Sequence, residues 1–131
     1  MNDNELNSLA ETWIAFTLAP QKSSERNDLF WVFDQVWELT YESPQDLWLL
    51  IVKILSLNNS DPILMNLSAG PLEDLLSKHG DSFINRIELE AKENPKFASL
   101  LGGVWQNSMT DEIWMRVQHV CNRKGWDCIS K

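Results

Sequence analysis

Apolar residues recur along this chain with the period of helices, and no stretch alternates as a strand would. From Asp3 to Leu18, the residues Leu6, Leu9, Ala10, Trp13, Ile14 and Thr17 line up on one side, and Pro20 ends the helix. A polar linker, QKSSERN, leads to a second helix over Asp28 to Tyr41, with Leu29, Phe33, Val36, Trp37 and Thr40 as its expected buried face. Trp31 and Val32 lie off that stripe. For Trp31, burial against a neighbouring helix is the plain expectation and an exposed binding anchor the alternative. Ser43-Pro44-Gln45-Asp46 then reads as a helix start, with serine as N-cap and proline in the first position. The helix that follows, DLWLLIVKILSL, is apolar nearly all round and belongs in the middle of a domain.

The second half is punctuated more densely. Asn58-Asn59-Ser60-Asp61-Pro62 is a turn leading into ILMNLSA, and Gly70-Pro71 reads as a break with proline opening a new helix. Glu73 and Asp74 fall in its first turn, Leu72, Leu75 and Leu76 form a short apolar face, and Gly80 is placed to close it in a left-handed conformation. A further helix starts near Asp81 or Ser82 and buries Phe83, Ile84, Ile87 and Ala91, with Arg86 and Glu90 one turn apart on its other side. Asn94-Pro95 ends it and opens KFASLL, which stops at Gly102-Gly103. Thr110 caps the last helix, where Ile113, Trp114, Val117, Val120 and Cys121 make the expected stripe and Gly125 the end. The expectation is an all-α chain of about seven short helices in a single domain over residues 1–131. An acidic part spans 1–42, and a second part spans 43–124. The helix pairs from Ser43 to Gly103 look like the antiparallel pairs of HEAT-type solenoids, without a regular period.

Composition changes the picture in three ways. Seven tryptophans among 131 residues exceed what a small core needs and leave room for exposed anchors. The net charge of −8 argues against a nucleic-acid partner, since phosphate binding needs clustered Lys and Arg. That charge is also uneven: Met1–Leu50 holds nine acids against Lys22 and Arg26, a local −7. The opening Asn-Asp-Asn-Glu lacks a signal-peptide pattern, and the longest apolar run, Leu47 to Val52, is too short for a bilayer, so a soluble cytoplasmic protein with no membrane partner is expected. Cys121 and Cys128, spaced as CNRKGWDC, match no common redox or zinc pattern and read as free thiols.

The motifs AGPLEDLLSKHG (69–80), FINRIE (83–88), LGGVWQ (101–106) and the run from Met109 through Val117 resemble a bacterial family of small uncharacterised all-helical domains. The likeness covers about Trp48 to Val117 and implies a helical fold and bacterial origin, but no activity.

Catalytic equipment is thin. No phosphate loop, nucleophile elbow or HExxH occurs. His79 before Gly80 suits helix capping, and His119 with Cys121 and Cys128 falls one ligand short of a structural zinc site. No enzyme activity, cofactor or metal is expected. Small size, local acidity and aromatic excess point instead to an immunity protein, an antitoxin that binds a cognate toxin or other basic protein. Trp31, Asp34, Glu38, Glu42 and Asp46 are its candidate contacts, since Asp34, Glu38 and Glu42 step along one helix face turn by turn. Two alternatives stand beside it: a HEAT-like adaptor, and a ligand-binding domain or enzyme built on Glu73, Asp74, His79, Arg86, Glu88, Trp105 and Gln106.

Overall fold

The computed structural model describes residues 1–121, and within them the protein is all-α with no strand. Gly125, the expected end of the last helix, and Cys128, weighed with His119 and Cys121 as a metal ligand, lie outside the described residues. The helices group into two compact units, Met1–Ile63 and Leu64 onward.

The first unit holds α1 (Asp3–Leu18), α2 (Ser24–Leu29), α3 (Trp31–Glu42) and α4 (Pro44–Leu57), with the first residues of α5 (Asp61–Leu67). Asn2 opens α1 with a full capping box: its side chain accepts from the Glu5 amide at 2.8 Å while the Glu5 carboxylate accepts from its own. Helix α4 fills the centre, burying Leu47, Trp48, Leu50, Ile51, Ile54 and Leu55. Its neighbours α1 and α3 bury Leu9, Ala10, Trp13 and Phe16, and Val32, Val36, Leu39 and Thr40.

Two expectations fail here. The supposed linker is partly a helix: Ser23 accepts from the Arg26 amide at 3.0 Å and starts α2, which the six-residue length of SERNDL had hidden. And the buried face of α3 is turned from the expected one. Phe33 and Trp37 are 52% and 42% exposed, while Val32 and Leu39 are inside. An aromatic stripe and an aliphatic stripe lie side by side on this helix, and the aliphatic one faces α4 and α1.

The second unit contains a π-turn (Ser68–Leu72), α6 (Glu73–Glu93), α7 (Pro95–Leu101) and α8 (Asp111–Val120). The break expected at Gly70-Pro71 does not occur. Pro71 has no N–H and its ring would crowd the preceding turn of an α-helix, and the wider π-turn accommodates it without ending the helical path into α6. Nor does Gly80 close a helix. Helix α6 kinks at His79 (φ −135°, ψ 27°) and runs on to Glu93. Gly80 serves a close approach: a Cβ there would lie 3.2 Å from Cγ2 of Ile113 on α8, itself buried. Asn94 and Thr110 cap α7 and α8 as the sequence indicates, accepting from the amides of Lys96 (3.1 Å) and Ile113 (3.2 Å). The α8 stripe is narrower than expected, with only Ile113 and Val117 fully buried.

Gly80 therefore sets how near α8 comes to α6. Gly80→Leu is expected to lower stability by about 2 kcal/mol, the cost of overpacking a filled contact. Adding Ile113→Ala should make the loss less than the sum of the two single changes, as read by chemical denaturation.

Candidate functional site

Helix α3 presents an outer surface of two parallel rows. Phe30 (which precedes the helix), Phe33, Trp37 and Tyr41 recur at i, i+3, i+7 and i+11, so they share one side over roughly 16 Å, at about 1.5 Å per residue. All four are exposed, from 42% at Trp37 to 54% at Tyr41. Their rings hold one another in place. Phe30 and Phe33 stack with centroids 5.6 Å apart, and Trp37 meets Tyr41 edge-on at 5.2 Å. The buried ring of Phe16 supports the first pair from α1, 5.9 Å from Phe30 and 6.5 Å from Phe33.

The second row is acidic. Asp34, Glu38 and Glu42 are all exposed and step along α3 beside the aromatic row. None has a hydrogen-bond or ion-pair partner among the described residues. Like charges one turn apart repel by about 0.2–0.5 kcal/mol per pair, so the free protein holds this row at a small cost. The nearest cation by sequence is already committed. Arg26 donates to the carbonyls of Phe16 (3.0 Å) and Ala19 (3.4 Å) at the C-terminus of α1, and its guanidinium lies 4.3 Å from the centroid of the Phe16 ring. Over Met1–Ile63 ten acids face three bases, a net charge of −7.

Trp31 stands with the exposed row at 52% exposure, so the anchor alternative describes it and burial does not. It forms one wall of a groove of about 370 Å³ between α3 and α1. Asp46 does not join the row. It sits half-buried in the first turn of α4, where its carboxylate accepts from Ser43 Oγ at 2.9 Å. Phe30 and Tyr41 escaped the sequence reading, although their spacing with Phe33 and Trp37 was there to be counted.

Several of the alternative residues in the second unit hold it together. Glu73 accepts from the Trp105 amide (2.9 Å) and from Asn107 Nδ2 (3.3 Å), and Asn107 takes a left-handed φ of 46° in that turn. Gln106 donates to Asp111 (2.9 Å) and to the Met109 carbonyl (3.3 Å), tying the GGVWQ turn to α8. Glu88 is clamped by Arg116, whose Nε donates at 2.9 Å, and Arg116 also reaches Asn85 at 2.7 Å. Arg86 lies over the Phe83 ring at 5.3 Å, and Glu90 accepts from Asn94 at 3.1 Å. Burial, with Glu73 beside it, pushes the Asp74 carboxyl above its ordinary range. His79 lines a polar cavity of about 220 Å³ at the α6 kink, with Ser82, Ser108 and Thr110. Trp105 is 48% exposed. Among the described residues no three His, Cys, Asp or Glu side chains gather as a metal-holding group, and no helix is long and apolar enough to cross a membrane.

An all-α protein with a structurally committed second unit and an outward aromatic–acidic helix is the class these observations define. The chain belongs to a family of unknown function, DUF6869, whose profile matches residues 19–125. No curated protein and no solved structure matches it.

Two outcomes follow from this geometry. Leu39→Ala, on the inner face of α3, should cost about 2–5 kcal/mol, while Trp37→Ala on the outer face should cost under about 1 kcal/mol, measured by urea unfolding. The hydrogen bonds from Arg116 hold the Glu88 carboxyl below its usual range. Stability from this pair is thus complete above the carboxylate's unfolded pKa and is lost as pH falls through the lower folded one. Glu88→Gln should lower the melting temperature at pH 7, and the gap to the parent protein should close in strong acid.

Proposed function

We propose that this protein is a binding module that engages a basic protein through the outer face of α3, and that it acts as an immunity protein neutralising a toxin in the bacterial cytoplasm. The observation that carries the reading is the pairing of an exposed aromatic row with three carboxylates that have no partner of their own. Exposed aromatic side chains with limited rotamer freedom are what protein interfaces use as anchors. Unpaired acids beside them raise the rate of encounter with a basic partner and fix its orientation. Many toxins that act on nucleic acids are basic, and an acidic partner can block their cleft. The charges of Asp34, Glu38 and Glu42 repel in the free protein, and opposing Lys or Arg side chains relieve that repulsion on binding. Glu73, Glu88 and Gln106 of the alternative site are engaged in hydrogen bonds within their own unit, which favours α3 as the docking surface.

The test uses toxic proteins encoded beside this one. The intact protein should bind one of them, with affinity falling as salt rises, and co-expression should restore growth of cells making it. Reversing Asp34, Glu38 and Glu42 together to Lys should weaken binding at least a hundredfold and abolish rescue, with helicity unchanged by circular dichroism. Full binding by the reversed protein, or the absence of any neutralised neighbour, overturns the reading.

A further inference from the structure

The groove beside Trp31 adds detail that the outer rows of α3 do not contain. It runs between Asn4, Glu5, Ser8 and Leu9 on α1 and Trp31 and Gln35 on α3. These positions are one-turn neighbours on their helices, so the groove has two continuous walls. Leu9 and the indole of Trp31 supply apolar surface, and the rim carries a carboxylate, two amides and a hydroxyl, with no Lys or Arg. Met1 also lines the groove, and its α-ammonium is already paired with the Asp46 carboxylate at 3.7 Å. The Glu5 carboxylate accepts one backbone amide through Oε1 at 3.1 Å. The side chains of Asn4, Ser8 and Gln35 are exposed and make no hydrogen bond with the described residues.

We infer that this groove receives one arginine side chain of the basic partner, an inference that rests on the α3 docking face proposed above. Three features select arginine. The aliphatic stem suits an apolar floor. The planar guanidinium stacks on the face of an indole, the best of the aromatic partners for a cation. Its five N–H donors in a rigid fork need several acceptors close together, which Glu5, Asn4, Ser8 and Gln35 supply, while an ammonium can use only three and does not stack. The net charge of −7 over Met1–Ile63 favours a cation over a neutral or acidic occupant. The groove and the acidic row share α3: Trp31 is three residues from Asp34, and Gln35 three from Glu38. A partner lying along the row therefore reaches the groove with the next side chain of its own chain.

Capped hexa-arginine and hexa-lysine peptides are the probes, titrated into the whole protein at low salt and followed by the indole N–H signals in ¹H–¹⁵N spectra. The Trp31 signal is assigned by its loss in Trp31→Phe. Hexa-arginine is expected to move that signal and to bind at least threefold more tightly than hexa-lysine. Trp31→Ala and Gln35→Ala, both at exposed positions, should each weaken hexa-arginine about fivefold and leave hexa-lysine within twofold. If hexa-arginine binds and is weakened by reversing Asp34, Glu38 and Glu42, but neither Trp31 nor Gln35 matters, the groove assignment is overturned and the docking face survives. If neither peptide binds, both are overturned.

Discussion

Helix α3 carries more apolar surface than its unit covers. Val32, Val36, Leu39 and Thr40 satisfy the contact with the unit's interior, and that leaves Phe30, Phe33, Trp37 and Tyr41 facing outward. Keeping aromatic rings in water forgoes burial at roughly 25 cal/mol per Å², so a helix built only for stability would carry polar residues there. Much of the first unit is arranged around that helix. Phe16 reaches from α1 to support the outer rings, Arg26 closes α1 and covers the Phe16 ring, and α4 supplies the wall for the inner stripe. Rings already held against one another have little freedom left to lose, which favours the proposed docking on this face.

The second unit has the opposite character. Its polar side chains close across long sequence distances, Glu73 onto the turn at Trp105 and Asn107 and Glu88 onto Arg116, and Gln106 adds a local bond to Asp111. These bonds join α6, the turn after α7, and α8, and Gly80 removes the side chain that would keep α8 away. The motifs that stand out most in the sequence thus mark a framework. The less conspicuous helix, WVFDQVWELTYE, presents the outward chemistry.

That contrast explains what the sequence made legible. Caps and breaks are local, so the bounds of α1, the proline start of α4, the Asn94 boundary and the Thr110 cap could all be read from a few adjacent residues. The inward face of α3 could not be read, because two apolar stripes compete and only α1 and α4 decide between them. Gly80 misled for a related reason: a glycine needed for close approach looks the same in sequence as one needed for a left-handed turn. Pro71 looked like a helix start because a π-turn, which removes the clash, has no sequence signal of its own. The acidic step from Asp34 to Glu42 was visible at once, whereas Asp46, adjacent by count, belongs to another helix start and is taken up by Ser43.

Side-chain exposure at α3, in the free and bound protein, is the most direct test. Hydroxyl-radical footprinting reads it ring by ring. In the free protein Phe30, Trp31, Phe33, Trp37 and Tyr41 should oxidise readily, and Trp13 and Trp48, which are buried, should not. With the proposed basic partner bound, Phe30 and the four α3 rings should be protected while Trp105 stays reactive. Protection confined to Trp105 and its turn, with the α3 rings still oxidised, would contradict the account and move the interface to the second unit.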